Sequence, residues 1–103
     1  MKRGEVRWYK FNSPDKKRLV VILTRNSILE YLGEVTVAPV TSVVRGIPSE
    51  VLLSKQDGMH SDCAVNLDHV QTVSKSKIGS LVTTLHNKKL GEIREALAFA
   101  LEL

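Results

Sequence analysis

Leu19-Val20-Val21-Ile22-Leu23 is an unbroken apolar run with no polar position in it. Alternation of apolar and polar residues marks a strand with one wet face. A short run without alternation, bounded by polar residues, reads as a strand buried on both faces. Such a strand belongs inside a sheet, so the rest of the chain must supply neighbours beside it and cover above and below. Lys16, Lys17 and Arg18 lead into the run, and Arg25 and Asn26 follow it. An arginine heading such a strand is usually a solvated surface charge, so the role of Arg18 stays open at this point.

The neighbours are legible as further strands. Residues 5–11 alternate, with Val6, Trp8 and Lys10 on one face and Arg7, Tyr9 and Phe11 on the other. Asn12-Ser13-Pro14-Asp15 then turns the chain. Residues 26–34 read as a connector with one helical turn, ending at Gly33. Residues 35–40 form a strand in which Pro39 cannot donate to a ladder, which predicts an edge or a bulge there. After a turn at 45–48, residues 49–54 form a strand and Asp57-Gly58 a hairpin-type turn. Residues 63–67 and 69–73 follow as strands, and 78–82 as a shorter one.

The end of the chain changes period. Leu90, Ile93, Leu97 and Leu101 recur at helical spacing with Ala96 and Ala100 beside them, an amphipathic helix whose apolar stripe packs on the sheet. Asn87 is the expected N-cap. Lys88 and Lys89 in the first turn oppose the helix dipole and Gly91 weakens the helix, so tertiary packing must hold it. Many short strands and one closing helix predict a mainly β, α+β fold: a small, strongly bent sheet or partly open barrel. An open barrel has an edge to cover, and a homodimer is one way to do so.

Several chemistries are excluded. At 103 residues and 43% hydrophobic content the chain suits one domain with a modest core. It has no apolar run of the roughly 18 residues that span a membrane. Met1–Lys10 is charged and lacks the apolar segment of a secretory leader, and Cys63 is a lone cysteine, so a reducing cytoplasm is the expected compartment. His60, His69 and His86 lack metal-site spacing, no carboxylate cluster suits magnesium, and no phosphate-loop, Gly-x-Ser-x-Gly or dinucleotide motif is present. No metal and no cofactor is expected. Cys63 reads as a small core residue.

Charge is concentrated at one end. Residues 1–25 carry eight Lys/Arg against Glu5 and Asp15, a net +6, whereas the whole chain carries +4. Such a patch attracts phosphates or acidic proteins, or is simply a solvated basic face. An arginine, some hydroxyls and a basic segment bearing Trp8, Tyr9 and Phe11 suit phosphodiester chemistry without metal. RNA brings its own nucleophile, the ribose 2′-OH. A guanidinium fork matches two phosphoryl oxygens, a hydroxyl adds a hydrogen bond, and aromatic side chains stack on unpaired bases.

The order of segments resembles the MazF/PemK/Kid family of toxin endoribonucleases. "KRGEVRWYKF" is similar to that family's opening, "RLVVILTRN" to its arginine-led apolar strand, and "VTVAPVTS" to the strand ending in apolar-Thr-Ser. "GIPSEVLL", "DCAVNLDHVQTVSKSKI" and the terminal "LGEIREALAFALEL" follow in the family's order. The resemblance covers nearly all of residues 1–103 as a single toxin domain. It implies an SH3-like barrel with a C-terminal helix and a homodimer, one half of a type II toxin–antitoxin system. It also implies metal-independent cutting of single-stranded RNA to 2′,3′-cyclic phosphate and 5′-OH ends, and an acidic antitoxin as protein partner. The family's catalytic arginine and threonine fall on Arg18 and Thr41. Ser42 lies beside Thr41, Ile47 matches a base-contacting apolar site, and His69 takes the place of an RNA-contacting glutamine. With Trp8, Lys16 and Lys17 these form the expected substrate-binding set.

Two departures stand out: Leu19 replaces the proline that usually follows the arginine, and "FNSPDKKR" replaces a longer loop that in some members supplies an acid. Asp15 is the only acid nearby. Two alternatives stay open. One is a non-enzymatic protein-binding toxin like the CcdB family, although "FALEL" lacks that family's Trp-Gly-Ile ending. The other is an RNA-binding barrel without turnover.

Overall fold

A computed structural model describes residues 1–10 and 16–103. Phe11, Asp15 and the turn expected at 12–15 lie outside the described residues. The strands are β1 (Glu5–Lys10), β2 (Lys17–Ile22), β3 (Glu34–Thr41), β4 (Glu50–Leu53), β5 (Cys63–Asn66), β6 (Gln71–Ser74) and β7 (Ile78–Thr84), with a single helical turn, α1 (Asn26–Leu29), and a C-terminal helix, α2 (Asn87–Leu101). They form an antiparallel sheet in the order β4-β5-β3-β2-β1-β7, with β6 added to β3. The fold is the SH3-like barrel with a closing helix.

The apolar run does what its lack of alternation requires. β2 pairs with β1 on one side and β3 on the other, and Val20, Val21 and Ile22 are fully buried. Val21 joins one core with Val6, Ala38, Val65 and Ile93 of α2. Val20 and Ile22 join a second with Tyr9, Val35 and Val37. Tyr9 is thus a core residue, which takes it away from the base-stacking role its position in the basic segment suggests.

β3 is not an edge strand along its length, but Pro39 does sit at a local edge. The strand runs through the middle of the sheet and changes partner. Glu34–Val37 pair with β6, Val40 and Thr41 pair with β5, and Val37–Pro39 pair with β2. Pro39 falls where neither β5 nor β6 pairs with β3, so its missing N–H interrupts no ladder on that side.

Three other expectations are corrected. Asp57-Gly58 is not a tight hairpin turn. Ser54 caps a 3-10 turn at Lys55–Asp57 in a reciprocal capping box, and Gly58 follows at φ 94°, so β4 and β5 are joined by a long loop. His69 is in a second 3-10 turn, Leu67–His69, rather than in β6, because the Asn66 side chain accepts from the Asp68 N–H and turns the chain. The N-cap of α2 is His86, without a side-chain bond, and Asn87 is already helical. The unfavourable first turn is offset by Lys89, which donates to the Leu52 carbonyl at 2.8 Å and pairs with Glu92 at 3.6 Å.

Part of the basic N-terminal segment is structural. Arg7 donates to Glu5 at 2.8 Å and to the Gly79 carbonyl at 3.0 Å, tying β1 to β7, and Arg3 donates to the Leu23 carbonyl at 3.1 Å. Burial pushes the Glu5 carboxyl up. The bond from Arg7, the Lys2 N–H and the charges of Arg7 and the N-terminus outweigh it, and the net shift is down from 4.5. The folded state therefore binds this proton more weakly than the unfolded state does. The resulting stability is present in full above 4.5 and lost as pH falls through the lowered folded value. Glu5→Gln is expected to lower the urea midpoint near neutrality and to narrow its gap to wild type under more acid conditions.

Candidate active site

The register of β2 on β3 pairs Val20 with Pro39, Val21 with Ala38 and Ile22 with Val37. Continued by two residues, it sets Arg18 opposite Thr41. The strands have parted by then, because β3 turns to β5 at Val40. The gap they leave opens into a cavity of about 540 Å³ lined by Arg18, Lys17 and Leu19 of β2, Val40 and Thr41 of β3 and Ser42 beyond it. Trp8 closes one wall, and Met59, His60, Ser61 and Cys63 close another.

Each predicted side chain can now be placed. Arg18, Thr41, Ser42, Trp8 and Lys17 share this cavity. Lys16 is exposed immediately before β2 and does not line it. Ile47 lines a different hollow, of about 690 Å³, with Leu52, Glu92 and Phe99. His69 sits near α2 on the Leu67–His69 turn, its Nδ1 3.3 Å from the Asn66 amide. The sequence did not single out His60 and Ser61 for this cavity. The capped 3-10 turn at Lys55–Asp57 leads into Met59, His60 and Ser61, which line this cavity.

Local chemistry distinguishes the cavity's groups. Thr41 Oγ1 accepts from the Val43 N–H at 3.1 Å. With a lone pair so engaged, the hydroxyl proton remains to donate elsewhere. Arg18 is exposed and held by the ladder opposite Tyr9. Burial pushes the Cys63 thiol above its ordinary value, and the carboxylates of Asp62 and Asp57 push it further, so it remains a thiol rather than a thiolate nucleophile.

A second hollow of about 520 Å³ shares Trp8 and Lys17 with the first, and adds Lys10, Lys77, Ser76 and Ser80. The two form a cationic track around the indole of Trp8, which is 39% exposed. Among the described residues no three His, Cys, Asp or Glu side chains are grouped to hold a metal, and no helix is long and apolar enough to cross a membrane.

Comparison with known proteins is consistent across sequence and fold. Residues 2–101 match the family described as PemK-like, MazF-like toxin of type II toxin-antitoxin system. Endoribonuclease MazF3 of Mycobacterium tuberculosis is 35% identical over 89 residues, 86% of each chain. The structure of Mycobacterium tuberculosis toxin MazF-mt6 superposes with a TM-score of 0.88 at 31% identity, covering 96% of this chain and 97% of that one. A mycobacterial endoribonuclease solved in complex with its cognate antitoxin shares the fold, with a TM-score of 0.89 at 24% identity over 100% of this chain and 96% of its own.

Proposed function

Since the chain belongs to the PemK-like, MazF-like toxins of type II toxin–antitoxin systems, we propose that it is an endoribonuclease cutting single-stranded RNA at the β2–β3 cavity. The observation that carries this reading is the meeting of Arg18 and Thr41, from two separate strands, in one cavity beside an exposed tryptophan. The ribose 2′-OH attacks the adjacent phosphorus, the P–O5′ bond breaks, and the products are a 2′,3′-cyclic phosphate and a 5′-OH. The Arg18 guanidinium stabilises charge on the phosphoryl oxygens and donates a proton to the departing 5′-oxygen. Thr41 donates its free hydroxyl proton to a phosphoryl oxygen, with Ser42 beside it.

Trp8 stacks on an unpaired base. Lys17 and Lys16 draw the phosphate chain towards the cavity, and Lys10 and Lys77 continue the track. Ile47 and His69 lie outside this cavity within one chain. Their contacts to bases belong to the larger surface of a homodimer, in which a second copy covers β4 and its exposed Leu52 together with Phe99 of α2. An acidic antitoxin competes with RNA for the cationic track in the cytoplasm.

The test is incubation of the purified protein with long RNA in EDTA, with mapping of 5′ ends. Cuts at defined short sequences with 5′-OH termini support the reading. Salt-sensitive binding without cuts selects a binding barrel. Intact RNA with trapped gyrase–DNA complexes selects a CcdB-like toxin. The Thr41 hydroxyl gives a finer check. Thr41→Val is expected to lower kcat about a hundredfold, the cost of one transition-state hydrogen bond. Thr41→Ser should retain most of the rate, because it keeps the donor.

A further inference from the structure

Cleavage by the 2′-OH requires a group that removes its proton; His69 lies outside the cavity, and none of the residues assigned above that line it is suited to that task. As residue types, arginine and lysine stay protonated near neutral pH, and serine and threonine stay un-ionised. Cys63 is buried and held as a thiol. Among the described residues lining the cavity, His60 alone is of a type that exchanges a proton between about pH 5 and 8.

Its placement is built by the fold. Ser54 and Asp57 cap the turn that precedes it, and the Met59 N–H returns to the Ser54 carbonyl at 3.2 Å. The Thr83 hydroxyl of β7 donates to the Asp57 carbonyl at 2.9 Å. Gly58, at φ 94°, packs against Thr83 so closely that a Cβ would overlap it. Met59 is buried on one side of His60, and Cys63 enters β5 on the other. The imidazole therefore projects from a loop anchored at both ends and stays accessible at the cavity.

We propose that His60 is the general base of the cleavage, the group that takes the proton of the attacking 2′-OH. The neutral imidazole accepts that proton as the O2′–P bond forms and the P–O5′ bond breaks. Arg18 protonates the 5′-oxygen. Solvent then removes the proton from the imidazolium and returns one to Arg18, so the site is restored and no co-reactant is consumed. The charged groups around the imidazole are Lys17 and Arg18 across the cavity, and Asp57 and Asp62 on its own segment beside Cys63.

The proposal rests on the nuclease reading, and one experiment separates the two. Kinetics of wild type, His60→Gln and His60→Ala are measured on a cleaved RNA from pH 5 to 8. Wild-type kcat should rise with pH on an acid limb as the base loses its proton. His60→Gln should lose about 10²- to 10⁴-fold in kcat with little change in KM, and should lose that limb. Added imidazole should restore His60→Ala with its own pH dependence. Wild-type kcat and an intact acid limb in His60→Gln overturn the proposal. So does a kcat loss that keeps the limb and that imidazole does not repair, which marks a structural role. A wild-type protein that cuts no RNA sinks the nuclease reading itself.

Discussion

Arg18→Ala is expected to lower RNA cleavage by about a thousandfold or more, the scale of losing a charged donor that acts on the transition state. The change removes a fork that can hold two phosphoryl oxygens while negative charge grows on them. Stability should barely move, because Arg18 is exposed at the start of β2 and the strand is held by Val20, Val21 and Ile22 beyond it. Arg18→Lys is the informative companion. It keeps the charge and loses the fork, so a large residual defect argues for bidentate geometry rather than simple attraction. Single-turnover cleavage, with circular dichroism and thermal melting as folding controls, reads both. Wild-type cleavage by Arg18→Ala would refute the assigned site.

The largest expected effect on stability lies at the other end of the chain. Ile93→Ala should cost about 3 kcal/mol, within the range for truncating a buried isoleucine. Ile93 is fully buried and joins α2 to the core that holds Val6, Val21 and Val65. In a domain of this size such a loss lowers the melting temperature by roughly 12–20 °C. Leu101→Ala, on the same stripe of the same helix, should change stability by only about 0.5 kcal/mol, because Leu101 is 57% exposed. Urea denaturation of the two variants distinguishes packing at one point from general helix propensity, which predicts similar effects for both.

That contrast also shows where sequence reading stops. Period alone puts Ile93 and Leu101 on one face, and the helix is there. How far the barrel extends beneath that face depends on long-range contacts that no local pattern encodes. The double burial of Leu19–Leu23 was legible for the opposite reason: the absence of alternation leaves a strand nowhere to go but the interior. Pro39 was legible as a local edge and not as an edge strand: β3 is central, but it has a stretch, between its β6 and β5 pairings, with a partner on one side alone. Arg18, Thr41, Ser42, Trp8 and Lys17 could be proposed as a set from the order of segments. His60 could not, because its approach to them depends on a capped 3-10 turn between β4 and β5 and on the Thr83 bond from β7, three residues and twenty-three residues away in the chain respectively.

Trp8 is the sole tryptophan of the chain, and it forms a wall common to both cationic hollows. Its indole emission therefore reports on this surface and nowhere else in the molecule. A ligand settling into either hollow should shift or quench that emission without any label attached, and an antitoxin that displaces RNA should register on the same optical signal.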